Sequence, residues 1–482
     1  MFRVRCTSLA VTIVATLCAQ LAGAQPAPET PPPVVPAAAP APPAQPAASE
    51  APANPAQAAV AEKPAEPFAF GDFTWLNGAN RQKSALLDSK YFTGSFLFDA
   101  NYTESNHHPI DNTVVGSTAL ARNSELQISF MGFGGDFHYE SARARLMTQF
   151  GTRSTIVPRN DTSADRGQFQ LRDVYRYISE ANAGYHFDVW HGINVDVGIF
   201  MSYVGLFSYD NFENWGYQPS FTSDNTPWFF NGVRVQTFPT ERLKVELWLI
   251  NGWQSYGKFN EMPGIGGQIM YRPVESVAML SNNYMGTDTA GAPGRMRFHT
   301  DDSFLLRYHD APGSFLRRAA FSVTADLGIE TGDGVVGFGG TGSEGHCTSA
   351  TPCDQNFISA MAYNRLWLGA SEKFAWTIGG GFMHNPGRYL VLMPTGVAGQ
   401  QFDMSAGSAF DGWDGSTTFD WMPDQFQTWR LEFVHRAASI PYFAGHGGVT
   451  SSTGYIGGST TNWKPDLVKD ESRVIAALLF RM

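Results

Sequence analysis

Apolar and polar side chains alternate with a period of two, segment after segment, from about residue 91 to residue 482. Residues 92–102 set Phe92, Phe96, Phe98, Ala100 and Tyr102 against Thr93, Ser95, Asp99 and Asn101. Residues 193–203 set Ile193, Val195, Val197, Ile199 and Met201 against Asn194, Asp196 and Ser202. Residues 318–330 set Ala319, Phe321, Val323, Ala325, Leu327 and Ile329 against Arg318, Ser322, Thr324, Asp326 and Glu330. Successive side chains of a strand point to opposite faces, so each segment reads as a strand with one apolar face. The same test gives about sixteen strands: 91–103, 123–133, 137–150, 174–187, 192–204, 228–238, 242–254, 265–273, 276–286, 295–309, 316–330, 356–368, 373–385, 413–422, 426–437 and 472–482. The spans 265–273, 356–368 and 373–385 are less regular, which leaves fourteen or eighteen strands open.

Most of these strands reach the ~9–11 residues that cross a bilayer at a tilt. Their connections alternate between short and long. Short ones include Gly134-Gly135-Asp136, Pro239-Thr240-Glu241, Pro273-Val274-Glu275 and Pro423-Asp424-Gln425; long ones run near 104–122, 151–173, 205–227, 331–355, 386–412 and 438–471. Transmembrane barrels have short periplasmic turns and long external loops. Aromatics near strand ends (Tyr185, Phe187, Tyr203, Phe207, Phe238, Trp253, Trp421) match the interfacial girdles of such barrels. Only 16% of residues are charged, below the ~25% of soluble domains. No apolar run of about 18 residues follows the N-terminus, which excludes membrane helices. The net charge of −11 argues against a nucleic-acid-binding chain. The expected fold is all-β: a transmembrane, antiparallel, up-and-down β-barrel of about 16 strands, with both chain ends in the periplasm.

With apolar faces towards lipid, the charges point inward. The inward basic set is Arg143, Arg145, Arg176, Arg234, Lys244, Arg295, Arg297, Arg307, Arg318, Arg430 and Arg436. The acidic set is Glu180, Asp196, Glu246, Asp301, Asp326, Glu330 and Glu432. Slipping one strand by one residue would put these charges in hydrocarbon, at ~2–4 kcal/mol per midplane Arg or Lys. A barrel of this width can hold water, and unpaired charges in a dry interior are costly. These residues therefore read as the lining of an aqueous, anion-leaning pore, or alternatively as pairs that brace the wall.

Ahead of the barrel, residues 1–24 read as a secretory signal, with Arg3 and Arg5, an apolar stretch Leu9 to Ala22, and the small residues Ala22-Gly23-Ala24. Residues 25–67 are almost all Ala, Pro, Gln and Glu and read as a disordered tether, long enough when extended to reach a cell-wall layer. Residues 68–90 carry Phe68, Phe70, Phe73, Trp75 and Leu76, too apolar for a linker. They are expected to pack at the periplasmic mouth or in the lumen as a plug, or to add a strand. Cys347 and Cys353, in an external loop of an exported chain, read as one disulfide.

Several patterns resemble chemistry. Gly332-Asp333-Gly334-Val335-Val336-Gly337 matches G-x-G-x-x-G, but glycines follow where a dinucleotide site needs a helix. His107 and His108 sit near Asp111 in a loop, and His299, Asp301 and Asp302 on one strand, where only the first two share a face. The loop set could bind a metal, though loop histidines usually do not, the strand pair is the feature a barrel hydrolase would use, and no G-x-S-x-G nucleophile motif occurs. No cofactor or metal is expected. An outer-membrane hydrolase and an adhesive or structural barrel with a cell-wall tether remain the alternatives to a channel.

The runs Phe73-Thr74-Trp75-Leu76-Asn77-Gly78, Val195 through Gly205, and Asn211-Phe212-Glu213-Asn214-Trp215 resemble the β-barrel porin family described as OmpL-like. The resemblance spans roughly residues 68–482. It implies an outer-membrane barrel with porin activity and supplies no substrate or catalytic residue. The expected function is passive diffusion of small hydrophilic solutes in a Gram-negative-type outer membrane. Expected partners are the lipid, those solutes, the outer-membrane assembly machinery and, in an oligomer, further copies of the chain.

Overall fold

Sixteen antiparallel strands close into a single barrel in sequence order, the last pairing with the first. The computed structural model describes residues 65–482 except 259–261, 290, 344, 389 and 391–408. The expected signal and nearly all of the expected tether lie outside the described residues. The strands are β1 Phe92–Ser105, β2 Leu126–Tyr139, β3 Ala142–Thr148, β4 Ile178–Phe187, β5 Ile193–Met201, β6 Phe229–Thr240, β7 Leu243–Ile250 and β8 Gly264–Val274. They continue as β9 Val277–Gly286, β10 Met296–Asp310, β11 Leu316–Thr331, β12 Asn356–Leu368, β13 Phe374–Asn385, β14 Phe410–Trp421, β15 Gln427–Ala438 and β16 Asp470–Arg481.

The period-two pattern is what makes closure work. Leu243, Val245, Leu247 and Leu249 lie on the outer parity of β7, while Lys244, Glu246 and Trp248 lie on the inner one. In β10, Arg297, His299, Asp301, Ser303 and Leu305 are buried inside, and Phe298 and Thr300 face out. Closure comes from the register Leu97↔Arg481 through Ser105↔Arg473, which leaves no sheet edge. Short turns join strands at one end of the barrel and long loops at the other. In the loop after β11, Val335–Val336 pairs in parallel with Cys353–Asp354, so the glycine run of the G-x-G-x-x-G match lies in a long loop.

Three local expectations change. Gly134-Gly135-Asp136 is not a turn; β2 runs through it, and the hairpin turns at Glu140-Ser141, with Glu140 left-handed at φ 52°. The glycines serve close strand approach. A Cβ at Gly134 would lie 1.9 Å from the Leu146 carbonyl oxygen, and one at Gly135 2.2 Å from that of Thr93. Second, β4 begins at Ile178, because residues ahead of it form a short helix, Leu171–Tyr175, with Arg176 as its C-cap. Third, residues 68–90 add no strand to the barrel.

Because Gly134 sits where a side chain has no room, Gly134→Val should destabilise the barrel by ~2 kcal/mol or more. Gly415→Ala, where an added Cβ meets nothing nearer than 4.0 Å, should be close to neutral. The urea concentration at which the heat-modifiable folded band disappears on gels compares the two.

Candidate functional site

Any path through the molecule runs along the inner parity of the strands, and two segments fold into that space. The first is the connection between β5 and β6, residues 202–228. Its aromatics Tyr203, Phe207, Tyr209, Phe212, Trp215, Tyr217, Phe221 and Trp228 are all buried. Loop backbone taken away from water needs new hydrogen-bond partners, and wall charges supply them. Glu432 accepts from the backbone N–H of Tyr217 (2.6 Å) and Gln218 (2.8 Å). Asp414 accepts from the Phe221 N–H and the Ser220 hydroxyl, both at 2.8 Å. Asp99 accepts from the Tyr217 hydroxyl (2.7 Å) and the Asn211 amide (2.9 Å).

Arginines treat the loop's carbonyls in the same way. Arg430 donates to the carbonyls of Gly216 (2.9 Å) and Asn214 (2.7 Å) while holding Asp420 at 2.7 Å. Arg365 shares Asp420 at 2.8 Å. Arg436 pairs with Asp224 in the short helix Phe221–Asp224 at 3.0 Å and lies over the Phe221 ring. Burial raises the Asp224 carboxyl, opposed by Arg436 and by the Thr118 side chain.

The second segment, residues 66–84, is a strap across the short-turn end. Phe68 N–H donates to the Glu241 carbonyl (2.8 Å), and the Trp75 indole donates to that of Glu275 (3.0 Å). On the far side Arg81 donates to the Asp424 carbonyl (2.9 Å) and Gln82 to that of Arg481 (2.8 Å). Asp72 pairs with Arg318 at 2.8 Å. Burial pushes the Asp72 carboxyl up, but the Thr74 hydroxyl and N–H, with Arg318, outweigh it and hold it at about 2. Strap and loop also bind one another: Trp215 N–H donates to the Asn77 side chain (2.8 Å), and its indole donates to the Trp75 carbonyl (3.2 Å).

The residues expected to line a pore fall into groups. Arg430, Arg436 and Glu432 hold the inward loop. Arg143 and Arg234 share Asp196, at 3.2 and 2.7 Å. Arg145 pairs with Glu180 at 2.7 Å. Arg297 pairs with Glu330 at 2.7 Å, and Arg295 lies 3.9 Å from the same carboxylate. Arg307 reaches Glu275 at the turn end, and Arg318 reaches Asp72, Asp310 and Glu372. Arg176 lies in the loop ahead of β4 and donates to Thr155. Asp326 and His299 are buried 2.5 Å apart, and Asp301 accepts from Asn282 at 2.7 Å. Cys347 and Cys353 are bonded in the loop after β11.

Not all the interior is filled. Beside the inward loop, against the walls of β6 to β10, lies a cavity of about 260 Å³. Arg234, Lys244, Glu246, Gln268 and Arg272 contribute its polar lining, and Tyr203, Trp228 and Trp248 its aromatic lining. Arg272, Arg365, Asp414, Asp420 and the strap's contacts were missing from the expected site. The first four sit on strands at the inner parity and could have been read there. The inward loop left one signal, its density of aromatics, which reads equally well as an interfacial girdle.

A family model described as "Putative beta-barrel porin-2, OmpL-like" matches residues 91–462. No curated protein matches the sequence. Among solved structures, in-vitro folded OmpT of Vibrio cholerae is similar at 10% identity and TM-score 0.46, covering 83% of this chain and 100% of that one. An anion-selective porin from Comamonas acidovorans is similar at 8% identity and TM-score 0.46, covering 81% and 99%. OprB of Pseudomonas putida is similar at 10% identity and TM-score 0.43, covering 81% and 94%.

The Asp72 carboxyl yields a pH expectation. A carboxyl depressed in the folded state gives its full stabilisation above its ordinary pKa and loses it progressively as pH falls from there through the folded value, here about 2. The strap should therefore keep most of its resistance to an acid-active protease at pH 3.5 relative to pH 5. Asp72→Asn should expose it to cleavage at both pH values; N-terminal sequencing of the fragments reads the result.

Proposed function

This chain belongs to the OmpL-like beta-barrel porin-2 family, and we propose that it is an outer-membrane porin for passive diffusion of small hydrophilic solutes. Family membership supports the outer-membrane barrel and the channel role. The finer reading rests on one observation: the inward loop leaves open the cavity against β6 to β10, lined by Arg234, Lys244, Glu246, Gln268 and Arg272. Solutes would pass off-centre, along that wall, and not down the barrel axis.

Two features favour anions. Three of the four charged residues lining the cavity are basic. Its one acid, Glu246, is held by Lys244 at 2.8 Å. In a narrow low-dielectric passage an excess of fixed positive charge raises the local anion concentration. In this reading the short-turn end, with the strap, faces the periplasm, and the long loops face outward.

Refolded protein in planar bilayers should show channels whose reversal potential in a KCl gradient marks anion preference. Deleting residues 66–84 should raise single-channel conductance several-fold, because the strap closes much of one mouth. Cation preference would overturn the anion reading, and a complete lack of channels would overturn the porin.

A further inference from the structure

Among the described residues, the basic side chains at the inner parity of the strands follow a rule that one of them breaks, whereas Arg81 of the strap and Arg153 of a loop lie off the strands. Arg143, Arg145, Arg234, Lys244, Arg297, Arg307, Arg318, Arg365, Arg430, Arg436, Arg473 and Arg481 each have a carboxylate within ion-pair distance. Arg272, on the inner parity of β8, has none among the described residues, and its Nε finds no acceptor. Its guanidinium rests against two rings of the strap, 4.6 Å from the centroid of Phe68 and 4.5 Å from that of Phe73. It lies on the wall of the 260 Å³ cavity.

A guanidinium partly withdrawn from water without an anion is costly, and ring faces stabilise it without neutralising it. Its planar fork matches a carboxylate in bidentate geometry. The neighbouring charges are committed elsewhere: Lys244 to Glu246, and Arg234 to an Asp196 already shared with Arg143. Leu76, Met270, Leu280 and Leu305 give the same cavity apolar walls. A single uncommitted cation beside apolar walls suits one negative charge on an apolar body.

We infer that the cavity between strap and wall is a binding site for small organic carboxylates, with Arg272, backed by the rings of Phe68 and Phe73, holding the carboxylate. The inference rests on the diffusion reading above, and gives it a substrate class. Since the strap supplies Leu76 to the cavity wall and the two rings that back Arg272, a bound carboxylate and a docked strap stabilise one another.

The test uses refolded full chain in detergent, titrated with butyrate, inorganic phosphate and neutral butyramide. Intrinsic tryptophan fluorescence reads binding, because Trp228 and Trp248 line the cavity. Butyrate should give a saturable change and butyramide none. Arg272→Gln should weaken butyrate binding at least ~10-fold, the usual worth of a charge-assisted hydrogen bond. Arg272→Lys, which keeps the charge and loses the fork, should fall between. If Arg272→Gln does not refold, Phe73→Leu carries the test, with binding expected to weaken several-fold.

Unchanged butyrate affinity in the Arg272 or Phe73 variants would overturn the site. So would equal binding of butyramide, and phosphate binding as tight as butyrate would overturn the carboxylate assignment. Conductance in bilayers separates the two readings. Butyrate binding without channels keeps the site and removes the pore; channels without butyrate binding do the reverse.

Discussion

Hydrocarbon offers no partner to a backbone N–H or C=O, and that one constraint organises this molecule. Every strand must find both neighbours, so the sheet has to close, and it closes through the β1–β16 register. Closure then fixes everything about sidedness. One parity of each strand meets lipid and must be apolar. The other is confined with its equivalents from fifteen more strands. The apolar parity explains the low charge fraction: charge is excluded from one face of each of sixteen strands and concentrated on the other.

Concentrating charge inside creates the second problem, which the chain solves with its own loop. A wall of Arg and Asp facing only water would be hydrated, mobile and weakly specific. Here residues 202–228 occupy much of the interior, and their backbone groups are met by Glu432, Asp414, Asp99 and Arg430. Wall charge and loop backbone thus satisfy each other. Neither would be stable buried alone, because an unpaired buried charge or amide costs several times what a paired one returns. The space that remains open is the cavity against the part of the wall the loop leaves uncovered.

The barrel was legible because it is written in parity, the most redundant signal a strand carries. Each of the sixteen strands overlaps one of the spans that alternation picks out, including the three less regular ones, although several run past its bounds, β2 by six residues. Errors occur where a residue type has two physical uses. Gly134 and Gly135 read as a turn because glycine favours turns, yet they sit mid-strand because two backbones approach too closely for a Cβ. Tyr203, Phe207 and Trp253 read as girdle because they follow strand ends, yet they are buried within. Parity says which face a residue takes and nothing of what fills the space it faces. Arg430 and Glu432 could be assigned inward from sequence, but not that their partners would be the backbone of a loop about 215 residues away.

That distance carries a consequence for how the interior is completed. Arg481, on the last strand, holds Asp210 at 3.2 Å and also pairs with Glu213, both on the inward loop. Its carbonyl accepts from Gln82 of the strap, and the Gly78 N–H of the strap donates to the Glu213 carbonyl. Loop, strap and closing strand therefore meet at one point, drawn from residues 78–82, 210–213 and 481. Contacts of such long sequence separation form late, since the loop-closure entropy must be met before they are gained. Burial pushes both carboxyls up, and Arg481 is the largest charge that opposes it. The inward loop thus reaches its full set of partners only in the closed barrel. The strand that seals the wall against lipid also anchors the loop and the strap inside it.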